Sequence, residues 1–239
     1  MAAQKLSIDK SHKFSDFFTK SESVRKVDFL IFHHVAATSA IDAIDQFLHY
    51  KVSSHFLIDE AGVVYELVDE NDIAYHAGIS HWKGFEGLNK NSIGIEFVNS
   101  QPFEKKFSEV QMRSGVELAK SLILKHKIPP QNILGHSDIG YYVETSLVEA
   151  SQTIVPKNMV GFLDRKQDPS HLFDWQFLAK NGVGIFVDIV ADKNFDYAKD
   201  KVLFNLGNKD AQIAEIKKKL SKFGYKVTNF NDEFDIEMQ

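Results

Sequence analysis

Apolar residues in this chain arrive in short bursts, and that constrains the fold more than any other feature. Val27-Asp28-Phe29-Leu30-Ile31-Phe32 is brief and built from β-branched and aromatic residues, which suits a buried strand. It runs into His33-His34. His55-Phe56-Leu57-Ile58 and Val63-Val64-Tyr65-Glu66-Leu67-Val68 flank the acidic, glycine-containing Asp59-Glu60-Ala61-Gly62, the pattern of a β-hairpin. Ser92-Ile93-Gly94-Ile95-Glu96-Phe97-Val98 reads as another strand, and Ile133-Leu134-Gly135-His136 as a short one leading into a loop. Helical spacing lies between them. Thr38 or Ser39 can cap a helix that places Ile41, Ile44, Phe47 and Leu48 on one face. Ser108 caps a second over 108–127, where Val116, Ala119 and Ile123 recur before Pro129-Pro130 ends it. Strands alternating with helices predict an α/β fold with a central mixed β-sheet flanked by helices.

No burst approaches the roughly 20 apolar residues needed to span a bilayer. The first 25 residues are polar and lysine-bearing, without the apolar run of a secretory signal. A length of 239 residues suits one large domain with an appendage. We expect an N-terminal extension over 1–26, a main domain over 27–180 and a small helical C-terminal module over 181–239. In that module a helix from about Asp210 places Ile213, Ile216, Leu220 and Phe223 on one face. Lys217, Lys218, Lys219 and Lys222 lie largely on the other, and Gly224 stops it. A net charge of −5 argues against a domain that tracks a nucleic-acid backbone. The absence of cysteine excludes disulfide scaffolds, thiolate nucleophiles and cysteine-ligated zinc.

The chemistry-bearing residues sit at the ends of these strands. His33 and His136 each close one, and Asp168 follows in a loop. Two imidazoles and a carboxylate make a three-ligand zinc set with a fourth position left for water. From spacing alone the signal is weak, since a lone strand-end histidine is more often structural than a ligand. Glu96 places a carboxylate among apolar strand residues, which costs desolvation unless it is paired, put to use or turned to solvent at an edge. Residues 69–91 hold His76-Ala77-Gly78, His81-Trp82, Gly84 and Gly87, more than a connector requires. His81 and Trp82 offer an amphipathic wall suited to a saccharide.

Six segments, taken in order, carry a resemblance. They are Phe29-Leu30-Ile31-Phe32-His33-His34, Val52-Ser53-Ser54-His55-Phe56-Leu57-Ile58, His76-Ala77-Gly78, Asn91 to Asn99, Gly135-His136-Ser137-Asp138-Ile139 and Arg165-Lys166-Gln167-Asp168-Pro169. Over roughly 27–175 the chain resembles the N-acetylmuramoyl-L-alanine amidases of the AmpD and AmiD type. That superfamily also holds phage lysozyme-amidases and peptidoglycan recognition proteins. The resemblance implies a Zn2+ cofactor held by His33, His136 and Asp168. It also implies catalytic roles for Glu96 as proton acceptor and donor and for Lys166 as the group that steadies the oxyanion. His76 is expected either to contact the substrate or to pack, and His81 and Trp82 are expected on the substrate-binding side. His34, whose side chain leaves the opposite face of the strand from His33, is expected to pack or hydrogen-bond.

The implied activity is zinc-dependent hydrolysis of the amide between N-acetylmuramic acid and L-alanine, in cell-wall degradation or muropeptide recycling. The implied partner is peptidoglycan or a muropeptide, and the expected location is cytoplasmic or periplasmic. There are departures. Ser54 stands where the phage relatives carry a catalytic tyrosine, and about 25 extra residues from Gly140 to Asp164 precede the Arg-Lys motif. We expect that insertion to gate or narrow the cleft, with a neutral surface loop as the alternative. The tail resembles the small peptidoglycan-binding domain of AmiD-type enzymes, and is expected either to lean on the main domain or to be incomplete. A non-catalytic peptidoglycan receptor is the rival reading, against which Glu96, Lys166 and Asp168 speak. A generic zinc peptidase is weaker, since no His-Glu-x-x-His segment is present.

Overall fold

The computed structural model describes residues 6–141, 143–144, 162–163, 166–187 and 204–235. In chain order the strands are β1 (Ile8–Asp9), β2 (Phe18–Thr19), β3 (Phe29–Val35), β4 (Phe56–Ile58), β5 (Val64–Glu66), β6 (Ile73–Ala74), β7 (His81–Trp82), β8 (Phe85–Glu86), β9 (Ser92–Val98), β10 (Ile133–Gly135), β11 (Val143–Glu144) and β12 (Phe162–Leu163). The helices are α1 (Ala40–Tyr50), α2 (Glu109–His126), the single turn α3 (His136–Ile139), α4 (Trp175–Lys180) and α5 (Ala211–Phe223). The chain divides into two compact units. One comprises 1–78, 87–137 and 167–187, and the other 79–86, 138–166 and 188–239.

The first unit is built on a mixed sheet in the order β1-β5-β4-β9-β3-β10. The β4–β5 hairpin is antiparallel, and every other pairing is parallel. Period-two alternation sorts the side chains. Leu30 and Phe32 of β3, Phe56 and Ile58 of β4, and Ile93, Ile95 and Phe97 of β9 share a core with Met112, Val116, Ala119 and Leu122 of α2. On the other face Val35, Leu57 and Val98 pack with Ala40, Ala43, Ile44 and Phe47 of α1. Gln111 ties helix to sheet: its buried Nε2 donates to Ile58 O (3.0 Å) and Val98 O (2.8 Å).

The caps fall where the sequence places them. Ser39 Oγ accepts from Asp42 N–H, and Ser108 Oγ from Gln111 N–H, each at 3.1 Å. Two expectations need correcting. The inward stripe of α1 is Ala40, Ala43, Ile44 and Phe47, whereas Ile41 and Leu48 are 50% and 42% exposed. The helix turns its small residues to the sheet, and alanines give a faint hydrophobic signal. His136 opens the helical turn α3 rather than a loop.

In the second unit β7 and β8 form a hairpin, β11 pairs with β12, and α5 runs from its Asp210 cap to Gly224. Trp82, 1% exposed, meets the rings of Phe223 and Tyr225 edge-on at 5.9 and 5.0 Å. A Cβ on Gly224 would stand 2.9 Å from the Trp82 ring, so only glycine allows this approach. Lys217, expected on the solvated face of α5, is fully buried. Its ammonium donates to Asn229 Oδ1 (2.8 Å) and Asn231 Oδ1 (2.7 Å) and pairs with the Asp235 carboxylate. A buried lysine is tolerated when its charge is met this fully. Most of the 140–164 insertion lies outside the described residues.

Candidate metal centre

β3 and β10 are hydrogen-bonded neighbours running in parallel; His33 lies two residues before the end of β3, and His136 directly follows β10. Their adjacency brings together two imidazoles that stand 103 residues apart in the chain: His33 Nδ1 and His136 Nδ1 are 3.0 Å from one another. Asp168 Oδ2 lies 3.1 Å from both nitrogens. Among the described residues these three form a group able to hold a metal ion, with His33 and His136 buried. Burial by itself would raise the Asp168 carboxyl, but the His136 and His33 imidazoles beside it hold it well below the usual carboxylate range.

The donor set fits zinc. Two imidazole nitrogens and one carboxylate oxygen leave a fourth position open, as a hydrolytic zinc site requires, and metal–ligand lengths of about 2.0–2.1 Å put neighbouring donors about 3.3 Å apart. The observed triangle of 3.0–3.1 Å is close to that.

Glu96 is the register partner of His33 on the adjacent strand β9, with Leu57 of β4 on its other side. Side chains of register partners leave the same face of a sheet, so the Glu96 carboxylate and the His33 imidazole rise side by side. Glu96 is 9% exposed. His34 leaves the other face, where its ring meets Phe103 edge-on at 5.3 Å.

Residues 23–170 match the family described as N-acetylmuramoyl-L-alanine amidase. The chain belongs to this family. N-acetylmuramoyl-L-alanine amidase AmiD of Escherichia coli is 33% identical over 152 residues, which cover 58% of this chain and 47% of that protein. 1,6-anhydro-N-acetylmuramyl-L-alanine amidase AmpD of Haemophilus influenzae is 35% identical over 127 residues, covering 53% and 56%. The matched stretch thus spans about half the length of each relative. Among solved structures, E. coli AmiD in complex with anhydro-N-acetylmuramic acid-L-Ala-D-gamma-Glu-L-Lys aligns at a TM-score of 0.60 and 27% identity, over 91% of this chain and 87% of that one. AmpDh3 of Pseudomonas aeruginosa has the same fold at a TM-score of 0.62 and 23% identity, over 93% and 82%.

The other candidates of the amidase pattern fall in several places. Lys166 is exposed and precedes Asp168 by two residues. His81, half-buried, accepts from Gly84 N–H through Nε2 (3.3 Å), and the Trp82 indole, expected beside a saccharide, is taken up by Phe223 and Tyr225. His76 is buried directly against the metal centre: its Nδ1 lies 3.0 Å from His33 Nε2. Its Nε2 lies 3.2 Å from Ser92 Oγ. Burial, with His33 and His55 nearby, pushes the His76 imidazole well below its ordinary value. His55 accepts from Gly94 N–H (3.1 Å), and burial together with Arg25 lowers it to about 3.

Sequence reasoning passed over Ser92, Gly94 and Asn89. A Cβ on Gly94 would stand 2.6 Å from His76 Cγ, so the missing side chain makes room for that ring. Ser92, Gly94 and Glu96 are every second residue of β9, and that alternation was a readable signal. Asn89 had none, being one polar residue in a polar loop.

Proposed function

We propose that this chain is a zinc-dependent N-acetylmuramoyl-L-alanine amidase, which hydrolyses the amide joining the lactyl group of N-acetylmuramic acid to L-alanine in peptidoglycan or muropeptides. The observation that carries the reading is the convergence of His33 Nδ1, His136 Nδ1 and Asp168 Oδ2 beside Glu96, in a chain of this family. The substrate complex of AmiD and the name of AmpD support a muropeptide as substrate.

His33, His136 and Asp168 hold the zinc. When bound, zinc polarises the amide carbonyl and lowers the pKa of a water to about 7. Glu96 takes the proton from the attacking water and passes it to the leaving amine of L-alanine. Such a general base typically contributes 10²–10⁴-fold. Glu96 is buried on the His33 face of the sheet, as that role requires. The Lys166 ammonium steadies the charge that develops on the amide oxygen. No helix among the described residues is long and apolar enough to cross a membrane. The reading places the protein in the cytoplasm or the periplasm, where muropeptides or the wall are at hand.

The test is turnover of defined muropeptides with and without a chelator, read by the masses of the released peptide and sugar. Release of an intact peptide beginning with L-alanine, lost with chelator and restored by zinc, is expected. Binding without cleavage would instead make the protein a receptor.

A further inference from the structure

The tautomers around the metal centre can be read outward from two backbone carbonyls. Leu88 C=O can only accept, so the Ser92 hydroxyl donates to it (2.6 Å). That commits the Ser92 proton, and Ser92 Oγ accepts from His76 Nε2–H (3.2 Å). A neutral His76 carrying its proton on Nε2 presents Nδ1 as an acceptor, and His33 Nε2–H donates to it (3.0 Å). His33 Nδ1 is then unprotonated where it meets Asp168 and His136. On the other side His136 Nε2–H donates to Ala77 C=O (3.2 Å), which leaves His136 Nδ1 unprotonated too. One side chain holds both anchors: Asn89 Oδ1 accepts from His76 N–H (3.0 Å) and from Ala77 N–H (2.7 Å).

We propose that His76, backed by Ser92 and held by Asn89, is a positioning residue that locks His33 in the Nε2–H tautomer and thereby raises the affinity of the centre for zinc. This gives His76 a role through another residue, distinct from both the substrate contact and the plain packing that the sequence left open. It rests on the zinc reading above. Partners behind a ligating histidine fix its tautomer and raise its basicity, and their loss typically costs 10–100-fold in metal affinity.

The experiment is a competition titration of zinc against a chromophoric chelator, on the zinc-free full chain and on the variants His76→Phe, Ser92→Ala and His76→Gln. The His33 tautomer is read alongside from ¹⁵N ring shifts, assigned by their loss in His33→Ala. His76→Phe should bind zinc about 10–100-fold more weakly and lose the preference of His33 for the Nε2–H form. Ser92→Ala should move both readouts in the same direction by less. His76→Gln, whose amide oxygen can still accept, should recover part of the loss. A purely structural role would move melting temperature without moving the tautomer. Should His76→Phe not fold, Ser92→Ala decides. Affinities within twofold of wild type with an unchanged tautomer would overturn the inference and leave the amidase reading standing. Wild-type protein that takes up no zinc would overturn both.

Discussion

The two faces of the central sheet are made by the same strands and serve opposite ends. On one, Leu30, Phe32, Phe56, Ile58, Ile93, Ile95 and Phe97 lie under α2 in an apolar core, with His34 at its margin against Phe103 and Phe107. On the other, displaced by one residue, β3 presents His33 and β9 presents Ser92, Gly94 and Glu96. The first face supplies burial free energy, as do Val35, Leu57 and Val98 where α1 covers the second. The second spends some of it, because imidazoles and a carboxylate taken out of water cost stability unless each is met by a partner. The alternation of a β-strand lets adjacent residues hold the fold and do the chemistry, and it fixes the spacing of the chemical groups to the rigidity of the core behind them.

The sharpest way to break this contrast is to remove a donor. His136→Ala should abolish stoichiometric zinc and bring turnover to background, read by metal analysis; unchanged stoichiometry would reject the donor set. Next come two neighbours on β9. Glu96→Gln should lower turnover by about 10²–10⁴-fold while metal content and melting temperature stay close to wild type. A drop below about tenfold would move the proton-transfer role to another group. Phe97→Ala, one residue on and facing the other way, should cost about 3–5 kcal/mol in denaturant unfolding and leave zinc affinity nearly unchanged. If Phe97→Ala weakened zinc as strongly as it weakened the fold, the two faces would not be separable.

A smaller effect concerns acid. His55 is buried and neutral in the folded state, its value lowered to about 3, while unfolded chain protonates near the ordinary 6.5. Stability from this group is therefore complete above 6.5 and lost as pH falls toward 3. At pH 5 the loss in the zinc-free protein is about 2 kcal/mol. Denaturant midpoints between pH 7 and 5 should fall less steeply in His55→Gln, and parallel slopes would show that another group carries the acid sensitivity.

Much of the sheet was legible in the sequence, because its strands are short apolar runs with clear turn chemistry and its long helices have serine caps. The convergence of His33 and His136 was legible only through the ordered motifs, since no local pattern says that β3 and β10 pair. Face assignments that rest on small or amphipathic residues were harder. Ala40 and Ala43 are quieter than Ile41 and Leu48, yet they are the ones buried. Trp82 looks like a ligand platform in the sequence because an aromatic in a polar loop suggests one. What decides its place is Gly224, some 140 residues later, whose bare Cα lets the ring approach. Lys217 defeated the helical wheel for a similar reason: the oxygens that bury it come from Asn229, Asn231 and Asp235, beyond the end of its own helix.

That buried ammonium makes the C-terminal unit report on its own opening. Acylating reagents reach Lys218 and Lys219 at once, since both are exposed, while Lys217 has no surface to offer until the 229–235 loop lifts away from it. The rate at which Lys217 becomes labelled, relative to Lys218 and Lys219, therefore reports the population of detached loop, in the way that amide exchange reports local unfolding. Once acylated, the side chain has lost the charge that drew three oxygens inward. The loop cannot then close as before, and an opening caught by the reagent is recorded permanently.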